Sequence, residues 1–246
     1  MLDIARTLPA DGDTRQSDIA FEMMKADIVA CRLPPGANVS EGDLAERYQL
    51  GKAPIRMALA RLADRDWLRA LPRRGYVVKP VAMRDVTEVL DLRLIVEPAA
   101  ARAAAGRVEV SRLEHLDAVC RAGFVAGDAA SEATYLQAHR QFHFAIVLAS
   151  GNRRLGRSFE PLWDETERVL HHTGLLRRNP EALRHDHKPL IDALRAADGA
   201  ASEAEMREEI QQLSRTIMEI ALQTAVLVAP PAVEMDFPEY HRDRHP

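Results

Sequence analysis

Residues 40–79 have the sequence SEGDLAERYQLGKAPIRMALARLADRDWLRALPRRGYVVK, and the pattern in this stretch predicts two helices followed by a hairpin. Ser40, followed three residues later by an aspartate, resembles a capping box with a short acid and predicts a helix over 41–48. A second helix is predicted over 52–64. Pro54 lies in its first turn, where the missing N–H group has no intrahelical partner in any case.

Two strands are predicted after the second helix, because residues 67–71 and 76–80 alternate like strands around the turn 72–75. Two helices joined by a short turn and followed by a hairpin predict a winged helix-turn-helix. In that fold the second helix can lie in the major groove of DNA. The two arginines in the turn would then suit phosphates or a minor groove.

The charge distribution agrees with a DNA-binding N-terminal region. The chain carries a net charge of −4, and residues 81–246 carry −6. Residues 47–79 hold nine basic side chains against Asp64 and Asp66, a local net charge of +7. Another helix is predicted over 15–31, because the following Leu-Pro-Pro-Gly sequence stops a helix. A locally basic surface on an acidic chain indicates contact with phosphates at one end only.

The composition is typical of a two-domain helical protein. The chain has 246 residues, of which 47% are apolar and only 5% aromatic. There is no apolar run of the roughly 18 residues that a membrane-spanning helix needs. The N-terminus lacks the pattern of a signal peptide, and Cys31 and Cys120 lack the CxxC spacing of a thiolate site. We therefore expect a cytoplasmic protein with no membrane partner.

Residues after about 80 are predicted to be almost entirely helical. Glycine, proline and asparagine breaks divide them into helices over 84–106, 110–126, 131–149, 152–174, 180–197 and 200–227. Helices of this length with short turns should pack as an antiparallel bundle. The predicted fold is mainly α, an N-terminal winged helix-turn-helix (1–80) and a C-terminal all-α antiparallel helical bundle (85–228). Residues 81–84 are predicted to link the two, and 229–246 to form an extended tail.

The N-terminal motifs resemble the GntR family of transcription regulators. The resemblance is carried by Arg32-Leu33-Pro34-Pro35-Gly36, Asp43-Leu44-Ala45-Glu46-Arg47, Pro54-Ile55-Arg56 and Arg73-Arg74-Gly75-Tyr76-Val77. It implies that operator DNA is contacted by the start of the helix over 52–64 and by the hairpin, or wing, over 67–80. The implied contacts are Lys52, Arg56, Arg61, Arg73, Arg74 and Gly75. This chain departs from the usual pattern at Gly51, Ala53 and Met57, where family members commonly have a hydroxyl residue, threonine and glutamate.

The C-terminal motifs are similar to those of the FCD domain in the FadR branch of that family. The matching residues are Leu92-Arg93 with Glu97, Phe142-His143, Ser150-Gly151-Asn152 with Leu155, and His187 before Leu190-Ile191. The resemblance implies a helical pocket in which many members hold a divalent metal with one aspartate and three histidines. It also implies that the metal helps to bind a small organic acid.

The residues at these positions predict a variant of that metal site. His139 and His143 are four residues apart and share a helix face, so their imidazoles can bind one metal ion. His187 lies on a later helix. Where the family usually has an aspartate this chain has His139, and where it usually has a third histidine, about 22 residues after His187, this chain has Glu209. We predict these four residues as the ligand set, with zinc or nickel favoured by the imidazoles.

Several alternatives stay open from the sequence. A pair of histidines at this spacing often holds no metal, and one alignment gap would replace Glu209 by Glu208. Arg93 is the candidate to bind the carboxylate of an effector, because a guanidinium matches that shape with two hydrogen bonds. The other interpretation of Arg93 is an ordinary ion pair with Glu97 four residues away.

The predicted function is ligand-responsive regulation of transcription, with a repressor expected. We expect a homodimer on a two-fold operator, because recognition of one half-site by one short helix is weak. Two alternatives are a metal-dependent enzyme with a DNA-binding appendage and a sensor of metal alone. The sequence shows no convincing general base, nucleophile or phosphate loop beside the histidines, so we do not expect an enzyme.

Overall fold

The N-terminal domain is a three-helix unit with a small sheet. The computed structural model describes residues 12–183 and 186–224. Its first elements are α1 (Gly12–Val29), β1 (Asn38–Val39), α2 (Glu41–Tyr48), α3 (Lys52–Asp64), β2 (Leu68–Leu71) and β3 (Gly75–Val78). The antiparallel sheet has the order β1-β3-β2, with Asn38 opposite Val77 and Leu68 opposite Val78.

The apolar side of α3 explains how this domain is held together. Ile55, Leu59 and Leu62 recur at helical spacing and are fully buried. They pack in one core with Phe21 and Ile28 of α1. The opposite side of α3 is exposed to solvent. At the start of α2, the Ser40 hydroxyl caps the helix by accepting a hydrogen bond of 3.1 Å from the N–H of Asp43.

The C-terminal domain is a helical bundle with its own core. Its elements are α4 (Met83–Ala104), α5 (Val110–Ala122), α6 (Ala129–Ala149), α7 (Arg153–Thr173), α8 (Leu175–Arg178), a 3-10 turn (Pro180–Leu183), α9 (Lys188–Arg195) and α10 (Gly199–Thr224). The longest helix, α10, packs along α4, while α6 packs between α5 and α7. Phe142, Leu194, Met206 and Ile217 lie in this core and are fully buried.

The fold class predicted from the sequence is confirmed, and the errors lie at element boundaries. The helix predicted over 180–197 is wrong: a 3-10 turn comes first, and α9 begins at Lys188, with Pro189 in its first turn. The helix predicted over 110–126 ends at Ala122, because the next residue is a glycine with φ of +69°. Strand β1 and the four-residue α8 were not predicted. The predicted tail, 229–246, lies outside the described residues.

Candidate functional site

One exposed side of α3 carries the side chains predicted to contact DNA. Lys52, Ala53 and Arg56 are exposed at the start of the helix, opposite the buried apolar face. Gly51 precedes the helix and makes no side-chain capping hydrogen bond, so no side chain caps the N–H groups of Lys52 and Ala53 there. A helix start with two cations beside it is a favourable site for a phosphate.

Arg56 is held in place by an acidic partner on α2. Its Nε and Nη2 atoms donate to both carboxylate oxygens of Glu41 at 2.8 to 3.1 Å. The hydrogen bonds from Arg56 lower the pKa of Glu41. The arginine side chain is 65% exposed, so a DNA phosphate or base can replace the carboxylate at little cost.

Arg61, the third predicted DNA contact on α3, lies on the side of the helix that faces α1. Its Nη1 donates to Asp18 of α1 at 2.6 Å, and its guanidinium lies 4.3 Å from the ring centre of Phe21. Five residues along a helix also turn it about 140° from Arg56. Arg61 therefore links α3 to α1 in this structure, and its predicted contact with DNA stays a prediction that the proposal below does not use.

The wing presents two arginines at the tip of the hairpin. Arg73 and Arg74 are exposed between β2 and β3, and Arg73 has a φ of +63°. Gly75 has a φ of +86°, and a Cβ atom there would lie 2.5 Å from the carbonyl oxygen of Val39. The structure thus gives Gly75 a packing role, because only glycine lets β1 approach this closely.

Four side chains from two helices, α6 and α10, and from the start of α9 meet in the C-terminal domain. The Nε2 atoms of His139, His143 and His187 lie 3.6, 3.0 and 3.2 Å from one oxygen, Oε1 of Glu209. Four ligand atoms, one from each residue, all lie within 4.8 Å of one another. We call these four residues the histidine pocket. The structure brings together all four predicted ligands, with Glu209 rather than Glu208 facing inward.

Two further carboxylates orient the imidazoles from behind. Glu97 Oε2 lies 2.7 Å from Nδ1 of His143, and Asp117 Oδ1 lies 2.8 Å from Nδ1 of His187. A carboxylate on Nδ1 fixes the ring and turns Nε2 towards the centre, as in many metal sites. From the sequence, Glu97 is expected only as a partner of Arg93, and Asp117 is not identified. The available signal was an acid on the buried side of α5, beside Leu113 and Cys120.

The electrostatics of the histidine pocket test whether the residues fit a cation. Burial opposes charge on His187, but Glu209 and Asp117 outweigh it and raise its pKa to about 9. The pKa of His143 is raised against burial by Glu209 and Glu97. Among the described residues, Nε2 of His143 and Oε1 of Glu209 are buried atoms that make no hydrogen bond of good geometry, although they lie 3.0 Å apart. An electronegative, buried set of nitrogens and one carboxylate fits a divalent metal ion.

Arg93 lies beside the histidine pocket but is already engaged. Its Nε and Nη2 atoms donate to Glu97 at 2.5 and 3.3 Å, and its guanidinium lies 4.7 Å from the Trp163 ring centre. The alternative ion pair with Glu97 is therefore present, and the predicted grip on an effector carboxylate stays a prediction. Only Nη1, buried and with no hydrogen-bond partner in the described part of the chain, is left for a ligand.

The cavity next to Arg93 is small. It is lined by Arg93, His139, His143, Glu209, Ile210 and Leu213, and it has no free volume for even a water-sized molecule. An organic effector at this place would require the surrounding helices to move apart, whereas a metal ion between the four ligand atoms would not. A wider groove of about 260 Å³ lies beside His187 and Glu209.

Comparisons with known proteins identify both domains. Residues 16–78 match the bacterial regulatory proteins of the gntR family, and residues 88–212 match the FCD domain. The chain is 25% identical over 200 residues to the HTH-type transcriptional repressor RspR of Escherichia coli K12, covering 81% of this chain and 88% of RspR. It is 29% identical to a probable D-xylose utilization operon transcriptional repressor of Paenarthrobacter nicotinovorans, covering 72% and 77%.

Solved structures show the same fold. E. coli McbR/YncC superposes with a TM-score of 0.67 at 22% identity, covering 83% of this chain and 97% of that one. A putative GntR regulator from Rhodococcus sp. RHA1 superposes with a TM-score of 0.66 at 21% identity, covering 84% and 98%. No helix among the described residues is long and apolar enough to cross a membrane. The matching families and relatives are regulators and not enzymes, which confirms that expectation. The chain is therefore a transcription regulator that belongs to the GntR family and carries a C-terminal FCD domain.

Proposed function

We propose that this regulator is a repressor whose helical domain holds one divalent metal ion and, beside it, a small carboxylate effector. One observation carries the proposal: three imidazole Nε2 atoms and the carboxylate of Glu209 converge on one point, while Glu97 and Asp117 hold two of the rings from behind. His139, His143, His187 and Glu209 would bind the ion. The metal, when bound, supplies a positive charge that attracts an acidic ligand.

The choice of metal follows from the ligands. Neutral imidazoles favour zinc or nickel over manganese, although the metal available in the cell can override that order. Asp186, Glu205 and Glu208 line a groove that opens to solvent beside His187 and Glu209. Their negative charge would draw a cation towards the histidine pocket.

DNA binding is proposed for Lys52 and Arg56 on α3 and for Arg73 and Arg74 in the wing. All four side chains are exposed and cationic, and they lie on the part of the chain that matches the gntR family. The role as a repressor rests on RspR and the xylose-operon relative, both of which are described as repressors. We propose a homodimer, supported by Leu92 and Ile95, two exposed apolar residues three apart on α4.

The metal content of matched variants tests the central part of this proposal. Protein purified without a metal-affinity tag should carry, after loading with zinc chloride and desalting, close to one ion per chain. Glu209→Ala should lose most of it. Glu208→Ala is the control, because Glu208 is the neighbour left open by the sequence and its side chain is 64% exposed and paired with Arg215. Full occupancy in Glu209→Ala, or an empty wild-type protein, would refute the metal site.

A sensor of metal alone is the second candidate, and the small cavity favours it. The two functions differ in what changes operator affinity. Titration of zinc chloride and of short mono- and dicarboxylates against an operator duplex, selected from a random-sequence pool, distinguishes them. A response to zinc that no acid modifies supports the metal sensor, whereas a further shift with one class of acid supports an organic effector.

A further inference from the structure

Helix α7 contacts both the histidine pocket and the DNA-binding domain. Trp163 of α7 lies against the pocket: its ring centre is 5.4 Å from that of His139 and 5.0 Å from that of His143. Asp164 and Arg168, four residues apart on one face of the same helix, contact the N-terminal domain. Trp163 and Arg168 are only five residues apart on this helix, so a shift of α7 at the pocket also moves Arg168.

Arg168 is buried at the base of the wing. Its Nη2 donates to the backbone carbonyl of Lys79, which follows β3, and its guanidinium lies 5.4 Å from the ring centre of Trp67, which precedes β2. The residue is only 6% exposed, and burial lowers its pKa. Its Nε is a buried atom with no hydrogen-bond partner in the described chain. The described part of the chain records no ion pair between this guanidinium and a carboxylate, although the negative charges of Asp85 and Glu165 favour its charged form. Burying a charge with so little compensation is costly for stability.

A second path joins the pocket to the same face of α7. Arg140 follows His139 on α6 and pairs with both Asp164 and Glu167. Glu167 also accepts a hydrogen bond of 2.8 Å from the indole Nε1 of Trp163. Asp164 in turn lies 3.3 Å from Nζ of Lys25 on α1. Rearrangement around His139 therefore acts on α7 through both a packed ring and a chain of ion pairs.

We propose that α7 links the histidine pocket to the wing and that Arg168 is the positioning residue at the wing end. Arg168 touches neither DNA nor metal in this account. It fixes the wing relative to α7, so a change in the pocket changes the placement of Arg73 and Arg74 on DNA. This proposal rests on the proposed function in one respect, that the signal at the pocket is a metal ion or an effector. The contact between α7 and the wing can be tested without either ligand.

Operator affinity measured with and without zinc chloride tests the link in the full-length protein. Coupling energies between sites typically change affinity by about 5- to 150-fold. Arg168→Met keeps the aliphatic stem but loses the donor to Lys79, so we expect the zinc-dependent ratio of dissociation constants to fall close to one with zinc content unchanged. Arg157→Met is the control, because Arg157 is exposed on the same side of α7, three turns earlier. Arg168→Lys retains a donor and should recover part of the ratio.

The two tryptophans of the chain report on the two ends separately. Trp67→Phe leaves Trp163 as a reporter of the pocket, and the difference between the signals of the wild type and of Trp67→Phe reports on Trp67 at the wing base. We expect zinc to change both signals, and the change at Trp67 to vanish when Arg168→Met is added. A change at Trp163 with none at Trp67 would overturn the link while leaving the metal site intact.

If zinc does not bind, the proposed metal site is refuted, but the link through α7 can still be tested. A double-mutant cycle then tests it. His143→Ala disturbs the pocket directly. We expect it to alter affinity for the selected duplex when Arg168 is present and to have no effect in the Arg168→Met background. Equal effects of His143→Ala in both backgrounds would overturn the link. Circular dichroism confirms folding, and Arg168→Lys replaces Arg168→Met in the cycle if the latter does not fold.

Discussion

Two arginine–glutamate pairs show how differently the two domains use the same chemistry. Arg56 and Glu41 form a pair on the surface, with 65% and 31% of their side chains exposed. Arg93 and Glu97 form a pair in the bundle, with 2% and 0% exposed. The first pair can exchange its carboxylate for DNA, because water stabilises each partner when they separate. The second cannot separate without leaving a buried charge, so it provides a fixed wall for the histidine pocket.

The largest expected effect comes from breaking the buried pair. Glu97→Ala leaves Arg93 uncompensated and removes the carboxylate behind His143. Removing one partner of a buried pair typically costs about 3–5 kcal/mol, so the free energy of unfolding should fall by about that much. Glu41→Ala, the matched change in the exposed pair, should leave the unfolding midpoint almost unchanged. Denaturation in urea measures both, and an equal decrease in the two variants would contradict the comparison.

Operator affinity tests the role proposed for Arg56 of the exposed pair. Arg56→Ala should weaken binding to the selected duplex by about 5- to 150-fold if the arginine contacts a base. Arg61→Ala is the control on the same helix, because Arg61 is occupied by Asp18 and Phe21, and it should leave affinity nearly unchanged. Mobility-shift titration at fixed salt measures both variants. A decrease for Arg61→Ala as large as that for Arg56→Ala would restore Arg61 to the DNA-contacting set.

The smallest effect is expected in the salt dependence of binding. Arg73 and Arg74 are exposed at the wing tip and should contact phosphates rather than bases. Replacing both with alanine should reduce the slope of log affinity against log salt by about 0.9 for each phosphate that the wing no longer neutralises. Titration at several salt concentrations gives the slope, and an unchanged value would show that the wing does not bind DNA.

The sequence predicted those features that depend on local pattern. Proline and glycine stops marked most helices, and the i, i+4 spacing of His139 and His143 put both on one face. The resemblance to known FCD domains added His187 and Glu209. Strand β1 was missed because it has two residues and pairs only across the fold. Asp117 was missed because its contact with His187 joins residues 70 apart, and no local pattern shows such a pair.

Arg93 shows why a correct position does not fix a role. Its place beside the histidines was predicted, but the same residue satisfies two local interpretations, a ligand contact and a pair with Glu97. Only the structure shows that Nε and Nη2 of Arg93 donate to Glu97 in a buried pair. In the same way Arg56 and Arg61 are alike in sequence, and only the position of α1 separates them.

The central claim is that a carboxylate on α10 and a histidine on α6 have exchanged places in a metal site that keeps three imidazoles and one carboxylate. X-ray absorption spectroscopy of the zinc-loaded protein tests this most directly, because it counts imidazole ligands around the ion. We expect three imidazoles at about 2.0–2.1 Å and one oxygen ligand from Glu209. His139→Ala should reduce the imidazole number to two. A wild-type spectrum with two or fewer imidazoles, or one that His139→Ala leaves unchanged, would contradict the account.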